Sequence, residues 1–149
     1  MRAYFRAKML TSYATAIASL ALLYLAGASL GVSLPAHSWL EMSGLIVVAL
    51  LPFGAFAIML GHLMTNESIG PLSGGSVSLL AVFSGTWFPA TGFLHTVGQW
   101  LPSYWLVQAG RVTLEGHSWG AKGWAVVIAW TLVLAVLAVL AYRRDTGRV

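Results

Sequence analysis

What most constrains this chain is how seldom a charge interrupts it. Residues 9–32 contain no Asp, Glu, Lys or Arg, and 123–142 form a nearly unbroken run of Ala, Val, Leu, Ile and Trp. Of the 149 residues, 8% are charged and 58% apolar, whereas soluble domains carry about 25% charged residues. So few charges cannot cover a water-facing surface, so lipid must be the solvent. The length allows one domain, 1–149. With no cysteine, disulfides, zinc–thiolate sites, Fe–S clusters and cysteine nucleophiles are excluded. The formal charge of +4 suggests nucleic acid until the positions are read. Arg2, Arg6, Lys8, Arg143, Arg144 and Arg148 lie at the two ends, which is a topology signal and not a nucleic-acid footprint.

A crossing helix needs about 20 mainly apolar residues to span roughly 30 Å. Four stretches qualify, at 9–32, 39–64, 68–88 and 123–142. The first is far longer than the roughly 7–15 apolar residues of a secretion signal and lacks a convincing cleavage site, so it reads as a span. Pro52 lies inside the second, where it frees a carbonyl and favours a kink. Ser68 is a candidate N-cap for the third, with Pro71 in the first turn. An even number of spans with basic ends places both termini in the cytoplasm of a multi-pass cell-membrane protein. Trp39, Trp87, Trp100, Trp105, Trp119 and Trp124 then fall near the outer face, where an aromatic belt belongs.

Residues 91–116 are too apolar for an ordinary loop, yet Pro102 divides the region into pieces too short to cross. His95 and Gln99 fall on one face of the first piece. Tyr104, Gln108, Arg111 and Glu115 form one polar stripe on the second. This pattern predicts two short helices dipping into the outer leaflet, facing other helices or a pathway. The expected fold is an all-α integral membrane protein with four transmembrane helices and this re-entrant pair between the third and fourth.

Several segments then fall into a recognisable order: Leu60-Gly61-His62-Leu63, Ser84-Gly85-Thr86-Trp87-Phe88-Pro89, Leu101-Pro102-Ser103-Tyr104-Trp105, Arg111, and the tail Tyr142-Arg143-Arg144-Asp145. Together they make the chain resemble the C-terminal portion of ABC-2-type transporter permeases. It departs from that pattern at Ala90-Thr91-Gly92-Phe93, where the family usually has a second proline. It also matches only four of the usual six spans, as expected of a truncated product, a fragment or one part of a split permease. The resemblance implies an exporter of hydrophobic or amphipathic compounds, with two permease copies, homodimeric here, and separate ABC ATPase subunits. The chain has no phosphate-binding loop and Lys8 and Lys122 are its lysines, so ATP and Mg²⁺ would act through the partner.

Read against this, Gly85, Pro89, Pro102, Gln108, Arg111 and Glu115 are candidates for an outer gate or pathway. Arg6, Lys8, Asn66 and Glu67 are candidates for contact with the ATPase. Plainer roles stand beside these: an Arg111–Glu115 salt bridge fixing a short helix, a helix end at Gly85, and a capping turn at Asn66-Glu67. His62 reads as an interfacial histidine, and His37 with Glu41 lacks the ligands for zinc. Glycine patterns at Gly27/Gly31, Gly54/Gly61 and Gly70/Gly74 allow close helix approach, more often inside a bundle than at a dimer face. No catalytic constellation is visible, and no charge lies mid-span to suggest a proton-coupled antiporter. The alternatives to an exporter subunit are a non-transporting accessory or immunity-type membrane protein and an ion channel. The substrate is open: drugs, lipids and polyketides all suit a greasy pathway.

Overall fold

The architecture is all helical among the described residues, with six helices and no strand. The structure is a computed structural model that describes residues 2–65, 67–89, 91–116 and 118–146, with backbone alone at 2–13, 16, 113–115, 145 and 146. Residues Met1–Pro35 and Ala36–Val149 are two separate units.

The first unit is the helix α1, Arg2–Ser29. It begins seven residues ahead of the predicted span, since 2–8 hold no glycine or proline to stop a helix. It ends where Gly31 turns left-handed at φ 83. There the Val32 and Gly31 amides donate back to the Gly27 and Ala28 carbonyls, both at 3.1 Å, satisfying two terminal acceptors.

The second unit holds α2 (Ala36–Leu63), α3 (Ile69–Ser84), α4 (Gly92–Gly98), α5 (Pro102–Glu115) and α6 (Ala121–Thr146). By length and apolarity α2 and α6 are able to cross a membrane. Only 22% and 28% of their apolar stretches are buried within the chain, which separates them from the core helices of a soluble protein. The two run in the same direction. Leu45 and Ala49 of α2 share a core with Val127 of α6, and further along His62 meets Tyr142 edge-on at 5.3 Å. His62 therefore has an aromatic neighbour on α6. Ala109 and Val112 of α5 and Trp119 complete the core. Pro52 is fully buried, and α2 runs on through it to Leu63.

The third helix departs most from expectation. It spans Ile69–Ser84, not 68–88, and at 1.5 Å per residue its 16 residues cover about 24 Å. Gly85, at φ 78, ends it: the Gly85 amide donates to the Val82 carbonyl and the Thr86 amide to that of Ala81. Ser68 makes no side-chain cap; its hydroxyl instead bonds the Thr65 amide at 3.2 Å and the Thr65 hydroxyl at 3.0 Å, closing the turn from α2. α3 rests mainly on α4 and α5 rather than on α2. The resulting cleft, about 330 Å³, is walled by Pro52, Phe53 and Phe56 of α2, Leu79 and Phe83 of α3, and Trp130 of α6.

Candidate functional site

The region between α3 and α6 does break into two short helices, α4 and α5, with the break at residues 99–101. A broken helix exposes carbonyls that hydrocarbon cannot satisfy. Here two tryptophans satisfy them. The Trp105 indole N–H donates to the Gln99 carbonyl at 2.9 Å, and the Trp130 indole of α6 donates to the Trp100 carbonyl at 2.8 Å. The Leu101 amide closes the last turn onto Gly98 at 2.8 Å, and Pro102 starts α5 at a position that needs no N–H. Glycine is required twice for close approach. A Cβ on Gly98 would collide with the Phe83 carbonyl at the end of α3, and one on Gly123 would enter the Trp105 ring.

A chain of polar side chains links the three helices. The Lys122 ammonium donates to the Gln99 carboxamide oxygen at 2.6 Å and lies 4.9 Å from the centre of the Trp100 ring. An ammonium only donates, so the Gln99 oxygen faces Lys122 and its NH₂ faces His95. His95 Nε2 lies 3.2 Å from that NH₂ and 3.2 Å from the Tyr104 hydroxyl. Gln108 donates to the Tyr104 oxygen at 2.8 Å. In the neutral imidazole Nε2 then accepts from Gln99 and the hydrogen lies on Nδ1. At the far end, the Gln108 carboxamide oxygen is buried without a donor among the described residues. The Ser103 hydroxyl and the Trp119 indole N–H are likewise buried and unpaired there.

His95, Tyr104 and Gln108 open onto a second cleft, about 600 Å³, between the end of α3 and α5. Its lining includes Ser84, Thr86, Trp87, Phe88 and Arg111. Ser84 is buried, donating to the Ala81 carbonyl at 2.9 Å and sharing a 2.7 Å bond with Thr86. Arg111 is exposed and is the one charged side chain in the described lining.

Of the residues singled out from sequence, Gly85, Pro89, Gln108 and Arg111 converge on this polar cleft. Pro102 does not: it lines the apolar cleft on the other side of the hairpin. The side chains of Glu115, Arg6 and Lys8, and all of Asn66, lie outside the described residues. Glu67 is exposed in the turn between α2 and α3. The glycine patterns are a correction within this unit: Cβ atoms on Gly54, Gly61, Gly70 and Gly74 would meet open space, so these residues do not bring its helices together. Among the described residues no three metal-ligating side chains cluster. Sequence reasoning named Ser84 and Thr86 only as part of the resemblance, and missed the two indole donors and the Lys122–Gln99 bond. The one legible cue was Pro102, since broken carbonyls need donors from somewhere.

No protein-family profile matches the chain, and no solved structure matches it. It is 29% identical over 140 residues to a Bacillus subtilis (strain 168) protein named "Putative transport permease YvfS". That similarity covers 91% of this chain but 57% of the Bacillus protein's length. The two apolar helices and this similarity together describe a membrane protein, similar through most of its length to part of a bacterial transport permease.

Proposed function

We propose that this chain is the membrane-spanning part of an ATP-driven exporter of ABC-2 type, moving a hydrophobic or amphipathic compound outward. The observation that carries the reading is the similarity to the Bacillus permease across nearly the whole chain. In this reading α1, α2, α3 and α6 cross the cell membrane and both termini are cytoplasmic. The same direction of α2 and α6 is what two crossings separated by one intervening crossing require. α3 is short by about 6 Å against a bilayer of roughly 30 Å, and the irregular chain through Thr86 and Pro89 continues it along the polar cleft. Irregular backbone at that depth is stable where it lines a cavity. The α4–α5 hairpin then closes the outer end of the pathway, and the glycines of α2 and α3 that face open space suit a second permease copy. ATP and Mg²⁺ act on a separate ATPase subunit.

The test is purification in mild detergent from cells that also express an ABC ATPase subunit of the same organism, with the full-length permease counterpart supplied. Co-purification and nucleotide-dependent efflux are expected. A chain that never associates with an ATPase is an accessory membrane protein, and conductance without nucleotide marks a channel.

A further inference from the structure

We propose that the polar cleft at the end of α3 binds a headgroup carrying an anion beside a hydrogen-bond donor, as in a glycerol phosphodiester. This deepens the exporter reading and rests on it for its place in the pathway. Two observations define the chemistry.

The first is Arg111, exposed and the single charge in the described lining. A guanidinium offers a planar fork that fits two oxygens of a phosphate or carboxylate. The second is the Gln108 oxygen, buried and unpaired. The Gln108 NH₂ donates to the Tyr104 oxygen at 2.8 Å, which leaves the carboxamide oxygen as the unsatisfied end. The cleft is thereby left with an acceptor, which a hydroxyl of the ligand satisfies and a choline methyl does not. The rim supports an amphiphile: Trp87 and Phe88 are 58% and 67% exposed, and such aromatic rings favour the headgroup level of a membrane.

The test is native mass spectrometry of the purified chain in mild detergent. It is titrated with phosphatidylglycerol, with phosphatidylcholine of the same acyl chains, and with tail-free glycerol phosphate as competitor. Phosphatidylglycerol is expected to bind about tenfold more tightly than phosphatidylcholine. Arg111→Gln weakens both lipids, with Arg111→Lys recovering part of the loss, while Gln108→Leu abolishes only the advantage of phosphatidylglycerol. Elution and unfolding midpoint of each variant confirm that it folds. Competition by glycerol phosphate supports the site and assigns it to a soluble polyol phosphate; lack of competition supports it and assigns it to lipid. Equal binding of the two lipids, or a preference unmoved by both Arg111→Gln and Gln108→Leu, overturns the proposal. ATPase association is read separately, so its loss with selectivity intact strikes the exporter reading and leaves the site standing.

Discussion

Along α2 and α6 the contacts are small and apolar: Ala49, Val127, Ala138 and Ala141 are all buried. Between α3 and α6 the chain is held differently, by indole N–H groups on backbone carbonyls and a directed series of side-chain hydrogen bonds. In lipid no hydrophobic force draws apolar helices together, so the α2–α6 seam depends on van der Waals fit. Such a seam tolerates exchange of one apolar group for another of similar volume. The hairpin has no such latitude, because each bond has a donor end and an acceptor end, and low dielectric makes an unpaired group costly. One region is specified by volume, the other by direction.

The contrast can be broken most severely at Gly98, where hairpin and helix touch. Gly98→Val places a side chain against the Phe83 carbonyl and is expected to cost about 3 kcal/mol, the upper end for overpacking. Thermal unfolding in detergent should show a large drop in midpoint; an unchanged midpoint would mean that α3 does not rest on the hairpin. Next is the seam itself. Leu45→Ala, at 5% exposure, is expected to cost about 2 kcal/mol, the low end for such truncations because only packing is lost. Gly54→Ala on the open face of α2 should not lower the midpoint of the isolated chain.

Direction is tested by Trp130→Phe, which keeps the ring but removes the donor to the Trp100 carbonyl. A loss of about 1–2 kcal/mol is expected from the unpaired acceptor. Trp124→Phe, at an exposed ring, serves as the comparison and should cost little. The smallest effect is a change of hydrogen position. Nitrogen NMR of the histidines, assigned with His95→Gln, should place the neutral His95 hydrogen on Nδ1, and Lys122→Met should relax that preference with a stability change of about 1 kcal/mol or less. Finding the hydrogen on Nε2 would show that Lys122 does not set the direction of the series.

Much of the fold could be read from the chain because its signals are local. Charge-free length marks a membrane helix wherever it occurs, Pro102 breaks a helix by lacking an N–H, and the period of Tyr104, Gln108 and Arg111 puts them on one face. The end of α3 was harder to place. The apolar run continues to Phe88, but Gly85 adopts a left-handed conformation that ends the helix, and Thr86 to Pro89 line the wall of a cleft. Periodicity also could not assign Pro102 to the apolar side and Gln108 to the polar side, since that depends on which helices stand beside α5.

What the sequence determined alone is the medium and the elements: an apolar chain with a helix broken at a proline, because solvation and backbone sterics act residue by residue. What only the tertiary structure decided is the polarity of the site. Lys122, 23 residues from Gln99, sets which end of that carboxamide faces His95 and so which nitrogen of the neutral ring accepts. A hydrogen bond has direction but no sequence signature, so that result exists only once the helices are packed.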